Sequence, residues 1–328
     1  MARQTREIFR RGTEPPVRVA EMRDTSHLDI GCRRPAVSGA VPRVPRRALL
    51  AGGAAAGTTA LAGCPNTGPA SGDHPVPALI GHRGCAAENP ENTVAAVRAA
   101  ARVVDAVEVD VRRCATGEAV VFHDETLDRL TDASGRVSET PCETLLDLEV
   151  AGSGETIPTL EEVFDALDPA VRLVLDLKDP GLAPVVLHTS DAYHHDVLLS
   201  SFNREVLAEV ADADPSAPTA LIVRESPPNR ALRPLVPGAP GWLYAPEDVG
   251  GKVDEALALG CEAIHPRYEL CLRTDLVERC HEAGLRVEAW TITSGRELDA
   301  LRGVGVDGVI ADVCAGLADR VDVRTDRG

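Results

Sequence analysis

Charged and titratable side chains recur where short apolar runs of this sequence end. His82 and Arg83 follow the run VPALI, and His123 follows AVVF. Glu108 and Asp110 stand two residues apart in VEVDV, so a strand there would point both carboxylates to the same side. Two carboxylates that share a site repel each other unless one is protonated or a cation bridges them.

A third carboxylate extends this pattern. Asp176 lies in LVLDLK, and Lys178, two residues further, would face the same side as Asp176. An all-oxygen ligand set suits Mg²⁺ or Ca²⁺. The pattern therefore predicts a divalent cation bound by Glu108, Asp110 and Asp176. The alternative is that these carboxylates lie at the surface and pair with arginine.

The two histidines complete a set for acid–base chemistry. Because an unperturbed imidazole has a pKa of about 6.5, His82 and His123 could act as general base and general acid across one substrate. The planar fork of Arg83 suits phosphate oxygens. With the metal and Lys178, these groups predict hydrolysis of an anionic ester and favour a phosphodiester.

Short apolar strands alternate with helical patterns in the part of the chain that carries these residues. Each strand candidate is continuously apolar, which is typical of strands covered on both faces. The candidates are 78–82, 107–111, 173–178, 197–202, 220–224, 263–266, 286–292 and 307–312. Eight such units predict an α/β fold, a TIM-type (β/α)8 barrel, whose active site collects at the carboxyl ends of the strands. An open doubly wound sheet is the alternative, but no GxGxxG follows the first strand.

One small insertion interrupts the alternation after the second strand. The Thr-Gly pair at 116–117 predicts a tight turn into an extra strand, EAVVFHD, and the insertion continues to about Ile157. No second domain is indicated. One catalytic domain over residues 77–320, followed by a polar tail at 321–328, accounts for this part of the chain.

Several other polar residues have simple structural interpretations. Asn92 and Thr93 are expected to cap the first helix, with Glu91 in its first turn. His265 ends a strand candidate, so it is compatible with a role in the site or in the core. Gly284, which closes HEAG, suits a left-handed helix end.

The cysteines give no framework. Nine are present, seven of them in the predicted domain, and none forms a CxxC pair. Seven cannot all pair, so the spacing indicates neither a disulfide framework nor a zinc site, and we expect most of the seven to be small buried thiols.

The motifs occur in the order of a known family. HRG with PENT, EVD, VVFHDETLDRLT, IPTLEEVF, LDLK, AWT and GVDGVIAD, spread from Ala78 to Asp312, resemble the glycerophosphodiester phosphodiesterase family. The resemblance implies a TIM barrel that uses a divalent cation to hydrolyse glycerophosphodiesters to an alcohol and glycerol phosphate. It also implies attack by a glycerol hydroxyl on phosphorus, with water opening the resulting cyclic phosphate.

The same resemblance implies a role for each matching residue. The implied acid–base pair is His82 and His123, the metal ligands are Glu108, Asp110 and Asp176, the phosphate contacts are Arg83 and Lys178, and Trp290 lines the glycerol side. Three positions depart from the family pattern. Asp176 stands where the family usually has Glu, Thr293 where Asn is common, and Ala311 where Thr is common.

Charge is unevenly distributed along the chain. The formal net charge is −17, but residues 1–63 carry 11 arginines against 5 acidic residues, so the remainder carries −23. An acidic surface with only two lysines, Lys178 and Lys252, is typical of proteins from salt-loving sources. It argues against nucleic acid as a partner, because binding a phosphate backbone needs a basic patch. The expected partner is a small-molecule glycerophosphodiester.

The amino-terminal region resembles a targeting segment. Arg46-Arg47 precede the small and apolar stretch 48–63, as in a twin-arginine export signal. Leu-Ala-Gly-Cys ends at Cys64 like a lipobox, whose cysteine would be lipidated. We therefore expect residues 1–64 to direct export and anchoring to the outer face of the membrane, with 65–76 as a flexible tether. A short transmembrane anchor is the alternative.

Two other functions remain open from the sequence. A phospholipase D-like hydrolase of lipid headgroups on the same barrel would act on intact lipids. A non-catalytic solute-binding lipoprotein would have no need for two titratable imidazoles, so the intact histidine pair argues against it.

Overall fold

The computed structural model describes residues 74–235 and 244–321. The predicted targeting region lies outside the described residues, as do most of the tether and all but the first residue of the tail. Among the helices that the structure describes, none is long and apolar enough to cross a membrane.

Eight parallel strands close into a barrel in the described part of the chain. The strands, with one further antiparallel strand (β3), are β1 Ala78–Gly81, β2 Ala106–Arg113, β3 Ala119–Val121, β4 Arg172–Leu177, β5 Val197–Ser201, β6 Thr219–Val223, β7 Ala263–Pro266, β8 Arg286–Ile292 and β9 Gly308–Ala311. Their order is β1-β9-β8-β7-β6-β5-β4-β2, and pairing of β1 with β2 completes the ring. The predicted (β/α)8 barrel is confirmed, and the open sheet is excluded.

Helices lie between the strands. They are α1 Val94–Ala100, α2 Cys142–Leu146, α3 Leu160–Asp165, α4 Ala183–Ala192, α5 Arg204–Ala213, α6 Pro227–Leu232, α7 Val249–Ala258, α8 Tyr268–Arg273, α9 Leu276–Glu282, α10 Gly295–Val304 and α11 Ala315–Val321. Thr93 caps α1 as predicted, accepting from the Ala96 N–H. Gly284, with φ of +79°, follows α9 in the left-handed conformation that a helix end requires.

Strand alternation divides the apolar residues into two layers. Val107, Val109 and Val111 point outward into the large core between the strands and the helices. Inside the barrel, a smaller cluster combines three alanines with larger side chains: Ile80, Ala106, Val174, Leu198, Ala220, Ala263 and Ile310. The residues of β2 that alternate with the three valines therefore face inward, and two of them are the carboxylates Glu108 and Asp110.

The insertion after β2 is confirmed and has its own small core. β3 pairs antiparallel with β2, with Val121 opposite Val111. A separate buried cluster, which includes Phe122, Leu145 and Ile157, holds the insertion together. The end of β3 therefore lies beside the end of β2, which is what brings the insertion to the mouth of the barrel.

Two of the seven cysteines are bonded to each other, a pair that the sequence spacing did not indicate. Cys85 and Cys314, separated by 229 residues, form a disulfide. Cys85 follows the turn after β1, and Cys314 follows β9, so closure of the barrel brings them together. The five other cysteines in the described residues are buried and free, as expected.

Candidate active site

All eight residues predicted for the site line one cavity of about 310 Å³ at the carboxyl ends of the strands. This size suits a small ligand. The eight are His82, Arg83, Glu108, Asp110, His123, Asp176, Lys178 and Trp290.

Three buried carboxylates form the centre of the cavity. Glu108, Asp110 and Asp176 are each at most 5% exposed, and one ligand oxygen from each lies within 4.8 Å of the others. Parallel pairing of β2 with β4 places Asp110 directly beside Asp176. The Nζ of Lys178 lies 2.6 Å from Asp110 Oδ1 and also contacts Asp176 Oδ2. Surface pairing with arginine, the alternative interpretation, does not describe this buried group.

The carboxylate cluster remains short of positive charge despite its neighbours. Burial and the charge of Asp110 raise the pKa of Glu108 to about 7. Burial opposes ionisation of Asp110 as well, but the charges of Lys178 and Arg83 hold its pKa well below the usual range. The Oδ1 atom of Asp176 is buried without a hydrogen-bond partner in the described structure. A divalent cation with oxygen ligands fits this cluster, because it would supply the missing charge and occupy the unpaired oxygen.

Asn92 fixes the orientation of one of these carboxylates. Its Nδ2 donates to Asp110 Oδ2 (2.8 Å), and its Oδ1 accepts from the Asp110 backbone N–H (3.1 Å). Asn92 adopts φ of +60°, so it does not cap α1 as expected. Asn92, in the motif PENT, is therefore a site residue, and the prediction that it caps the helix is wrong.

The turn that follows β1 presents His82 and Arg83. The backbone N–H of Arg83 donates to Glu108 Oε2 (2.8 Å), and Arg83 Nε lies 3.2 Å from Asp110 Oδ2. Gly84 has φ of +75°, and a Cβ on it would lie 2.7 Å from the Ala96 Cβ. Only glycine fits this close approach to α1.

Each histidine has one ring nitrogen next to a carboxylate. His82 Nδ1 lies 2.6 Å from Asp312 Oδ1, while its Nε2 is 4.0 Å from Glu108 Oε2. His123 Nδ1 lies 2.5 Å from Asp124 Oδ1. A carboxylate at Nδ1 favours the proton there and leaves Nε2 for a ligand.

The surroundings shift the two imidazoles in opposite directions. Burial opposes protonation of His82, but the charge of Glu108 and the contact with Asp312 raise its pKa. Burial lowers the pKa of His123, and the cations Arg83 and Lys178 act in the same direction. Groups with pKa values pushed apart are suited to opposite roles in proton transfer.

A chain of ion pairs connects the turn after β1 with the insertion. Arg83 Nη1 donates to Glu91 Oε1 (2.8 Å), and Arg129 donates to both Glu91 oxygens (2.8 and 2.9 Å). Arg129 also pairs with Asp124, the partner of His123. Glu91 precedes α1, so the expectation that it lies in the first turn is wrong, and its oxygens bind arginines. Arg129 was not predicted as a site residue, although it lies in LDRLT, part of a motif that carries the family resemblance.

Trp290 forms part of an aromatic wall on the other side of the cavity. Its Nε1 donates to the backbone carbonyl of His265 (2.9 Å), and its ring meets Phe202 edge-on with centroids 5.5 Å apart. This hydrogen bond fixes the indole, so that its face can contact a small ligand.

His265 lies at the inner end of the cavity, in a buried ion-pair group. It is 1% exposed, and its Nε2 lies 2.9 Å from Glu288 Oε2. Arg172 Nη1 lies 2.8 Å from Glu288 Oε1. Burial opposes ionisation of Glu288, but His265 and Arg172 lower its pKa to about 2. This arrangement favours the structural interpretation of His265.

Comparison with known proteins identifies the same family that the sequence motifs resemble. Residues 82–315 match the model of the glycerophosphoryl diester phosphodiesterase family. A glycerophosphodiester phosphodiesterase of Caldanaerobacter subterraneus subsp. tengcongensis is 30% identical over 250 residues, covering 71% of this chain and 93% of that protein.

Solved structures with the same fold are also similar. A phosphodiesterase of Oleispira antarctica, in complex with the product sn-glycerol-3-phosphate, has a TM-score of 0.63 at 26% identity and covers 76% of this chain and 98% of that one. A glycerophosphodiester phosphodiesterase of Thermotoga maritima has a TM-score of 0.59 at 24% identity, covers 76% of this chain and 99% of that one, and supports the barrel fold.

The carboxylate cluster generates a direct prediction. Mg²⁺ or Ca²⁺ at about 100 times its dissociation constant should stabilise the protein by about 2.7 kcal/mol and raise the melting temperature by roughly 5 °C or more. Calorimetry of the Asp176→Asn variant should show a much smaller shift. Asp299→Asn, which changes an exposed partner of Arg320, is the matched control and should keep the shift. Equal shifts in both variants, or none in the unmodified protein, would contradict a cation site here.

Proposed function

The chain belongs to the glycerophosphoryl diester phosphodiesterase family and is an enzyme of that activity, and from this premise we propose how it works. It hydrolyses glycerophosphodiesters to glycerol phosphate and an alcohol, with a divalent cation and a pair of histidines. The observation that carries this proposal is that one cavity is lined by the three buried carboxylates, by Arg83 and Lys178, and by the oriented imidazoles of His82 and His123.

Arg83 and Lys178 bind the phosphodiester in this proposal. Both side chains line the cavity and contact the carboxylate cluster, so their charges lie where an anionic substrate would approach the cluster. Ion pairs with Glu91 and Asp110 orient the guanidinium of Arg83 before substrate arrives. A preorganised cation stabilises charge on the phosphate without having to reorganise during the reaction.

His82 and His123 transfer the protons. In the first step, one imidazole accepts the proton of the glycerol hydroxyl that attacks phosphorus, and the other donates a proton to the leaving alcohol oxygen. In the second step, water opens the cyclic phosphate to glycerol phosphate, with the two proton-transfer roles exchanged. Asp312 and Asp124 serve as positioning residues, because each holds the Nδ1 of its histidine and directs Nε2 to the cavity. Asp124, the partner of His123, pairs with Arg129, which pairs with Glu91, which in turn pairs with Arg83. These ion pairs link the position of His123 to that of the phosphate-binding arginine.

The ligands of the cation are Glu108, Asp110 and Asp176. When bound, Mg²⁺ or Ca²⁺ would neutralise the phosphate oxygens and make phosphorus more susceptible to attack. Asn92 positions Asp110 for this task. Because Asp176 is one methylene shorter than the Glu usual in the family, we expect tolerance of Ca²⁺, whose coordination is longer and less strict than that of Mg²⁺.

We further propose that the enzyme is exported and anchored through a lipid on Cys64. The twin arginine, the small apolar stretch and the lipobox-like ending support this localisation. The disulfide between Cys85 and Cys314 also supports it, because disulfides persist mainly in oxidising compartments outside the cytosol.

Replacing either histidine should nearly abolish turnover. In His82→Ala and in His123→Ala, kcat for a glycerophosphodiester should fall by about 10²–10⁴-fold, because a proton-transfer group is lost. His188→Ala, at an exposed histidine of α4, is the matched control and should keep full activity. Chelation should abolish turnover, and Mg²⁺ or Ca²⁺ should restore it. Hydrolysis that persists in the double histidine variant or after complete chelation would contradict the proposal.

The localisation can be tested on the mature protein. Mass spectrometry should find an amino terminus at Cys64 that carries a lipid, and Cys64→Ala should release the enzyme from the membrane. Replacing Arg46 and Arg47 by Lys should block export. A mature terminus upstream of Cys64, or an unmodified Cys64 thiol, would overturn the anchor.

A further inference from the structure

The mouth of the cavity carries another cationic group, which forms no ion pair with the carboxylate cluster. Arg224 directly follows β6 and lines the cavity with Phe202 and Trp290. Its guanidinium carbon lies 4.1 Å from the centroid of the Phe202 ring, which in turn meets Trp290 edge-on. An arginine stacked on an aromatic face retains its in-plane N–H donors for an oxyanion.

Arg224 forms no ion pair in the part of the chain that the structure describes. Among the residues that the structure describes, no carboxylate lies within 4.0 Å of its guanidinium. Its neighbour Glu225 is buried and pairs with Arg233 at 3.1 Å instead. The next arginine around the mouth, Arg267, is already bound by Glu269 at 2.9 Å. Arg224 therefore offers a free cation to the cavity, in a protein whose net charge is −17.

The barrel topology places Arg224 across the mouth from His82 and Arg83, whereas Lys178, which follows β4, is two strands away from it. β6 and β1 are four strands apart in either direction around the closed ring. His82 and Arg83 follow β1, so a substrate held there by its phosphodiester must extend toward the end of β6 if it crosses the mouth. A second cavity of about 180 Å³ shares Phe202 and Arg224 with the active-site cavity, and its lining also includes Arg204, Lys252 and Glu255.

We propose that Arg224, on its Phe202 platform, forms an anion subsite that selects glycerophosphodiesters with a second anionic group. This inference rests on the proposed function, since it concerns the part of the substrate beyond the reacting phosphate. The chemical class is a diester that carries a further phosphate or carboxylate. Substrates with a quaternary ammonium group, such as glycerophosphocholine, place like charge beside Arg224 and are disfavoured.

Steady-state kinetics on three probes tests this subsite. The probes are bis(glycerophospho)glycerol, which has a second phosphate, neutral-headed glycerophosphoglycerol, and cationic glycerophosphocholine. For the unmodified enzyme, kcat/KM should decrease in that order. In Arg224→Gln, the ratio of kcat/KM for the anionic probe to that for the neutral probe should fall about 10-fold, mainly through KM, since one charge-assisted contact is lost.

Two further variants distinguish an anion subsite from a packing role of Arg224. Arg224→Lys preserves the charge and should retain part of the anionic preference, whereas Arg302→Gln, at an exposed arginine in the last turn of α10, should leave all three rates unchanged. The preference should also weaken as salt screens the contact. If Arg224 only covers Phe202, Arg224→Gln will change all three probes by the same factor, which would overturn the subsite. An unmodified enzyme that prefers glycerophosphocholine would overturn it as well. If the unmodified enzyme hydrolyses none of the three probes, the proposed function itself is refuted.

Discussion

The burial of three carboxylates at one end of the barrel is the constraint on which the site depends. Pairing of β2 with β4 sets Asp110 beside Asp176, and Glu108 lies one inward position before Asp110. Three carboxylates that are each at most 5% exposed cannot all stay charged without cations nearby. Lys178 and Arg83 meet part of this demand, and a divalent cation would meet the rest. The same positive groups then suit the phosphate of a diester.

The groups around this cluster come from parts of the chain that only the closed barrel brings together. His82 stands on the turn after β1, its partner Asp312 follows β9, and the disulfide ties the same two segments a few residues further on. His123 comes from the insertion, where a separate small core supports it. A firm position for both imidazoles therefore requires barrel closure and the insertion at once, in addition to a strand end for each histidine.

Much of this could be predicted from the sequence, because continuous apolar runs and polar strand ends are local signals. The eight strands, the insertion and the convergence of eight residues on one cavity follow from them. The disulfide could not be predicted, because 229 residues separate its cysteines and no spacing marks the pair. Asn92 and Glu91 were misassigned to a helix start, since the left-handed backbone at Asn92 delays α1 to Val94. Their contacts with Asp110 and Arg129 depend on tertiary structure.

The central claim is that the three carboxylates hold a divalent cation beside the reacting phosphate. Anomalous diffraction from a crystal soaked with Mn²⁺ and glycerol phosphate tests it most directly. The account predicts one strong peak about 2.0–2.6 Å from oxygens of Glu108, Asp110 and Asp176, with phosphate between it and both histidines. A phosphate bound there without any peak, or a peak only at other acidic residues, would contradict the account.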